Sequence, residues 1–423
     1  MSVNLKEIYR VFDPAPLERN SDLYVELDEV RGSKGLANEL GNHIRMSNKP
    51  TCQLLAGHKG SGKSTELKRL CGMLEEGAEK FFTVYCELED LIDPNDVDFP
   101  DILMVIVGQL GKQFKERLGI HLKPGYFRQR WEELKGFLGS EVTLETLDLA
   151  TGIGTISAKI KDSPRTRREI RKQLEPSTNN WIAAANDVIS EAVLELSKKG
   201  YAGLVIVVDD LDKITNRIYE NTDYTLPEYL FLNRSPQLSA FDCHIMYTIP
   251  ISLAYSCKER NLASLYGFTA PPIVPMTKIT DADNKPTEGF EKFKDIVDRR
   301  LHQVSARIKD VFPEGVLDQL IRYSGGQPRE LMTLTRDTLV KQGIPILAES
   351  VEQVARNIRH AYDRQLRVEH WEVIRQVGKT HKLVRNEQND DLCMDLLDSR
   401  AILQYRNHDE WYGLNPLLPE YDG

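Results

Sequence analysis

The stretch "LLAGHKGSGKST", residues 54–65, limits what this chain can fold into more than any other. Gly57-His58-Lys59-Gly60-Ser61-Gly62-Lys63-Ser64 fills G-x-x-x-x-G-K-[ST] at every fixed position. Gly57, Gly60 and Gly62 let the backbone turn without a Cβ, so successive N–H groups can face phosphate oxygens. Lys63 supplies a cation to the β/γ-phosphates, and the Ser64 hydroxyl can ligate Mg²⁺. Ser61 and Thr65 are counted with the same cradle. The preceding "TCQLLAG" reads as a strand. The following "KSTELKRLCGMLEEG" puts Leu67, Leu70 and Leu74 at helical spacing and stops at Gly77. The loop therefore opens a helix, whose N-terminal dipole also favours phosphate.

A second motif follows downstream. "GLVIVVDDLDKI" is an apolar run, Leu204 to Val208, ending in Asp209-Asp210-Leu211-Asp212. Strands covered on both faces of a parallel sheet read this way, and carboxylates at their C-terminal ends lie where ligands bind. Asp209 is placed to hold Mg²⁺ through water, and Asp210 to orient or activate the attacking water. The bland alternative is a strand that ends in a solvated acidic turn. "FDCHIMYTIPISLAYS" is the next strand, with Thr248 near its end before Pro250. Threonine is favoured in strands on its own account; its place also resembles that of the polar residue which in ring ATPases contacts the γ-phosphate or the water, and that resemblance implies a catalytic role for Thr248. The acidic strand end lacks the glycine of D-x-x-G, and Asn284-Lys285-Pro286-Thr287 lacks the aspartate that reads guanine. ATP with Mg²⁺ is the expected ligand pair.

At 423 residues the chain is long enough for two or three domains. A net charge of −9 argues against coating nucleic acid by bulk charge. The 6 cysteines are scattered with no CxxC pair, which fits a reducing cytosol better than a disulfide frame or a zinc site. The longest apolar runs fall short of the about 20 residues of a membrane span, and "MSVNLKEIYRVFDPAPLERN" shows no signal segment. The expectation is a cytoplasmic protein with no membrane span.

The pattern predicts an α/β P-loop NTPase fold with a parallel sheet flanked by helices. The core spans 1–275, with a helical insertion at about 95–180; a helical lid spans 276–350 and a C-terminal winged-helix domain 351–423. In "WIAAANDVISEAVLELSKKG", Ile182, Ala185, Val188, Ile189, Ala192, Val193 and Leu196 share a helix face. In this order the motifs resemble AAA+ and STAND ATPases, in particular the branch shared by archaeal origin initiators and bacterial conflict-system switches. Arg31-Gly32 matches the adenine-side box before the loop, and Asp209-Asp210-Leu211-Asp212 the hhhhDDxD acidic motif. "SGGQPRELMTL" matches the lid motif, in which Pro328 walls the adenine or Arg329 reaches the phosphates; it also reads as a plain helix start with Pro near N1. The resemblance covers most of the chain except the insertion. Where AAA+ members carry glutamate this chain has Asp210, which implies slow turnover and a switch rather than a motor.

The tail predicts a helix, "DDLCMDLLDSRAI", and a two-stranded wing, "AILQYRNHDEWYGLNPLL", turning at Asn407-His408. Asp390, Asp391, Asp395, Asp398, Asp409 and Glu410 favour protein contact or docking over DNA. One basic run stands out: Lys159, Lys161, Arg165, Arg167, Arg168, Arg171 and Lys172. It reads either as a solvated face or as a site for nucleic acid or another anionic partner. Arg234, Arg299 and Arg300 are the arginine-finger candidates. The resemblance implies an ATP-binding and hydrolysing switch acting on a homo-oligomer or a separately encoded effector, with bacterial antiviral defence as the implied setting. The alternative is a DNA-binding ATPase of the initiator or loader class.

Overall fold

The computed structural model describes residues 4–32, 35–123, 125–138, 163–219, 222–256, 258–281, 285–386, 388–406 and 409–420. Lys159, Lys161 and the Asn407-His408 turn lie outside them. Five strands form one parallel sheet: β1 (Cys52–Gly57), β2 (Phe81–Glu87), β3 (Gly203–Asp209), β4 (His244–Thr248) and β5 (Ile273–Val274), in the order β2-β3-β4-β1-β5. This is an α/β P-loop NTPase fold. β4 lies between the strand that feeds the glycine loop and the strand that ends in aspartates, so both motifs emerge along one edge. Val205 to Val208 are wholly buried, as the unbroken apolar run requires of a strand covered on both faces.

One large core joins the sheet to helix Phe99–Leu118 and helix Thr178–Lys198. The first of these lies within the segment expected as a helical insertion. Ile102 through Val107 are all at most 2% exposed, so this helix is part of the sheet's own core. Its capping box, Asp98 with Asp101, and Pro100 in its first turn fix where it starts. A second core joins Ile8 and Phe12 of helix Leu5–Val11 to helices Glu288–His302 and Pro328–Gln342 and to the C-terminal part. The N-terminal segment thus packs with the lid.

The C-terminal part contains helices Val368–Thr380 and Asp390–Asp398 and an antiparallel hairpin, β6 (Ile402–Arg406) and β7 (Glu410–Leu414). The hairpin does not stand free. The Met276 amide donates to the Gln404 carbonyl at 3.0 Å, and the Tyr405 hydroxyl to the Gly325 carbonyl at 2.8 Å. Among the described residues no helix is long and apolar enough to cross a membrane.

Some of the arginines singled out by charge have internal partners. Arg167 is 2% exposed and pairs with Asp93 at 3.0 Å and Asp96 at 2.8 Å, while Arg171 pairs with Asp96 at 2.6 Å and with Asp101. Part of the described basic run therefore fastens helix Pro164–Leu174 to the 93–101 segment; Arg165, Arg168 and Lys172 face outward. Arg234 is also engaged, with Asp98 at 3.1 Å and Glu175 at 2.8 Å, so it is not free to act as a finger. Removing one member of a buried pair leaves the other charge uncompensated. Arg234→Ala should lower stability by about 3–5 kcal/mol, read from urea unfolding, whereas Arg168→Ala should leave it within about 0.5 kcal/mol.

Candidate functional site

The glycine loop leaves β1 at Gly57 and enters helix Lys63–Glu75. Gly62 has φ +104°, a conformation that L side chains rarely adopt, and an added Cβ would lie 3.3 Å from Arg31 Nη2. Lys63 Nζ donates to the carbonyls of Gly57 at 2.7 Å and His58 at 2.9 Å, and pairs with Asp212 at 2.8 Å. Both members of that pair are buried. The loop is thus closed on its own lysine, with Asp212 as the counter-charge.

Asp209 sits beneath this pair. Its carboxylate accepts from Tyr85 Oη at 2.6 Å, from the Asp210 amide at 2.8 Å and from the Ser64 hydroxyl. Burial, then Asp212 and Asp210, push its carboxyl above the usual carboxylate range. Carboxylate oxygens of Asp209, Asp210 and Asp212 all lie within 4.8 Å of one another. Hard oxygen donors beside a phosphate loop suit Mg²⁺, and Ser64 with Asp209 would hold it. Such an ion would relieve the crowding that raises the Asp209 pKa.

The other expected residues take the following places. Asp210 has φ +72°, which aspartate tolerates better than most residues. It pairs with Lys213 at 2.7 Å and accepts from the Glu89 amide at 3.3 Å. The lining of the cavity over the loop includes Asp212 and Lys213 but not Asp210. Thr248 stands between the two motif strands, as read, but it is wholly buried and its hydroxyl accepts from the Leu211 amide at 3.1 Å. It holds the acidic loop rather than facing a ligand. Arg31 is a clasp: it donates to the Ser61 carbonyl at 2.5 Å, to Glu66 at 3.3 Å and to Thr277 Oγ1 at 3.3 Å. Gly32, at φ +68°, ends the short helix that carries it. Pro328 and Arg329 reach the loop from the lid, where a Cβ on Gly60 would lie 3.2 Å from Arg329 Cβ. Arg329 has no ion-pair partner among the described residues. Of the remaining finger candidates, Arg299 donates to the Tyr24 carbonyl at 2.5 Å and pairs with Asp295 at 3.2 Å. Arg300 is buried in the wall of this same cavity.

Sequence reasoning left several residues without a role. Asp212 stood in the acidic motif with none assigned. Tyr85 carried no signal beyond its strand. His58 occupies a variable position of the loop, yet it is wholly buried: the Gln404 amide donates to its Nε2 at 2.9 Å, and its Nδ1 lies 3.1 Å from the Leu397 carbonyl. That pattern is the neutral imidazole with the proton on Nδ1. The loop is thereby bonded directly to the C-terminal helix and hairpin.

No protein-family model matches the chain, and no curated protein matches it. Solved structures similar to it include a Walker-type ATPase of Pyrococcus abyssi, at 15% identity and TM-score 0.45, covering 96% of this chain and 97% of that one. The Aeropyrum pernix ORC2 protein, in ADPNP-ADP complexes, is similar at 12% identity and TM-score 0.45, covering 97% and 94%. The Aeropyrum pernix ORC1 protein in complex with DNA is similar at 12% identity and TM-score 0.39, covering 92% and 91%.

Burial, with Lys63 and Arg400 nearby, pushes the His58 imidazole down to about 3. The unfolded chain binds this proton near pH 6.5, so the unfolded state holds more protons between the two values. The His58 contribution is complete above about pH 6.5 and is lost as pH falls towards 3, by at most about 1.4 kcal/mol per pH unit. Asp398, raised to about 6 by burial, opposes part of this loss down to its ordinary range. His58→Gln should flatten the acid limb of stability between pH 6.5 and 4.5, measured by thermal melts across that range.

Proposed function

We propose that the chain binds Mg-ATP between the glycine loop and the lid, hydrolyses it slowly, and uses the exchange as a switch. The observation that carries this reading is the cavity shared by Lys63, Asp212, Thr65, Arg329 and the apolar side chains of residues 14–17 and 23–27. A triphosphate would take over Lys63 from Asp212, and Arg329 would meet its terminal oxygens from the lid side. Mg²⁺ when bound neutralises phosphate charge and fixes the β- and γ-oxygens. Asp212, once freed from Lys63, can orient a water there from the cavity wall; Asp210, outside that lining, would do so only after leaving Lys213. The output is a change in how the lid and the C-terminal part sit on the loop. His58 supports that step, because its two bonds run from the loop to Leu397 and Gln404. The reading includes a homo-oligomer or a separately encoded effector as the target, in the defence setting that the motif resemblance implies.

Lys63→Ala should abolish ATP binding or weaken it by at least tenfold in isothermal titration of the folded variant. Asp210→Asn and Asp212→Asn should both retain Mg-ATP. In single-turnover assays the one that supplies the base loses about 10²–10⁴-fold in rate. Wild-type rates in both would remove the water-activating role from this acidic loop.

A second reading, a DNA-binding ATPase of the initiator or loader class, is favoured by one observation. Arg165, Arg168 and Lys172 project from helix Pro164–Leu174 without ion-pair partners among the described residues. Reversing these three to Glu leaves Arg167 and Arg171 in their internal pairs. If they bind phosphates, DNA affinity should fall in the triple variant. The log–log salt slope should then shrink by about 0.7–0.9 for each phosphate no longer neutralised. ATP turnover should be unchanged.

A further inference from the structure

The lining of the cavity over the loop is of two kinds, and phosphate chemistry accounts for one: Gly60, Lys63, Asp212 and Arg329. The N-terminal segment and helices Glu288–His302 and Pro328–Gln342 add Pro14, Leu17, Val25, Ile296, Met332 and Arg300. Five of these six are apolar, and an apolar lining with few polar groups suits a purine base. Arg300 is the exception.

Arg300 is 6% exposed. It lies in the last turn of helix Glu288–His302, and its Nη1 donates to the Ile296 carbonyl of that helix at 3.2 Å. Among the described residues it has no carboxylate partner within ion-pair distance. Asp13 bears on it only as a nearby charge, and burial pushes the guanidinium down to about 10, so it stays a cation at neutral pH. A basic residue suits the C-terminal turn of a helix. That explains the charge but not its burial in a cavity wall. A guanidinium carries five N–H donors and no acceptor, and burying such a cation without acceptors is costly. The lid and the N-terminal segment fold into one core around it, which fixes its position. A ligand in the cavity would supply what the protein does not.

We propose that Arg300 reads the nucleoside half of the nucleotide bound in its own chain, donating to a purine ring nitrogen or a ribose oxygen. It is then a binding and specificity-determining residue in cis, not a finger offered to a neighbouring subunit. This rests on the reading of the cavity as an ATP site.

The test is titration of the full chain as wild type, Arg300→Met, Arg300→Lys and Lys63→Ala. The ligands are ATP, 2′-deoxy-ATP, 7-deaza-ATP and inorganic tripolyphosphate, each competing with a fluorescent ATP analogue. Arg300→Met keeps a long apolar stem and removes the buried charge, so thermal melts should show it folded. It should weaken ATP about 10–100-fold, the range for a charged hydrogen bond, and leave tripolyphosphate unchanged. Arg300→Lys keeps the charge and should recover part of the affinity, and it stands in if the methionine variant does not fold. If the wild type discriminates against 2′-deoxy-ATP the acceptor is on the ribose; if against 7-deaza-ATP, on the purine. The methionine variant should lose that discrimination. Equal weakening of ATP and tripolyphosphate would make Arg300 a phosphate ligand and overturn the proposal. Undiminished ATP affinity in both Arg300 variants would make it a structural arginine only. Undiminished ATP affinity in Lys63→Ala would instead refute the nucleotide reading of the cavity.

Discussion

Lys63 reaches two carbonyls of its own loop and, across the β4 strand, the Asp212 carboxylate. Everything near it is arranged by those bonds. They keep the loop wrapped over the helix that follows, and they hold the acidic turn against the loop. Arg31 secures the loop from the opposite side through the Ser61 carbonyl, and itself rests on Glu66 and Thr277. Glu66 in turn accepts from Tyr24 and pairs with Arg69. These charges are mostly shielded from water, so each is satisfied by neighbours that belong to different segments. A phosphate entering this network would exchange one anion for another beside Lys63, and that exchange frees Asp212.

The C-terminal part is joined to the same place by His58, which touches both Leu397 and Gln404. Asp398 lies near Lys59, but burial still raises its carboxyl to about 6. Burial keeps this imidazole uncharged, and both of its ring nitrogens are engaged. The acidic residues of the tail, which argued against DNA backbone binding, belong partly to this docked surface.

The glycine loop, the acidic strand end and the helix start at Pro328 were legible because each needs particular residue types at fixed spacing. The parallel sheet followed from apolar runs without alternation. What the sequence hid were partners distant along the chain. Nothing local marks Arg167 and Arg171 as internal, because their carboxylates, Asp93, Asp96 and Asp101, lie some seventy positions away. The same holds for Arg234, a finger candidate whose partners Asp98 and Glu175 are distant along the chain. Thr248 was placed at the right strand end, but which group its hydroxyl meets depends on how the acidic loop folds back. Helix Phe99–Leu118 reads as generic helix, and only its burial on both sides shows that it belongs to the sheet. His58 and Arg300 gave no motif signal for these roles; each matters through what packs against it.

The second core draws on residues from both sides of the sheet domain in sequence. Ile8 and Phe12 share it with Phe290, Leu320 and Ile402. These pairings span close to three hundred or more positions, and their loop-closure entropy must be met before they reward the chain. The sheet domain, whose core runs from Leu54 to Leu262, can form first. Ile8 and Phe12 would then stay uncovered until the chain from 288 onward has been made, although residues 17–24 already meet helix Lys63–Glu75. The wall that surrounds Arg300 is consequently among the last parts of the molecule to be completed, and a chain stopped before the lid would carry an intact phosphate loop with nothing to close over it.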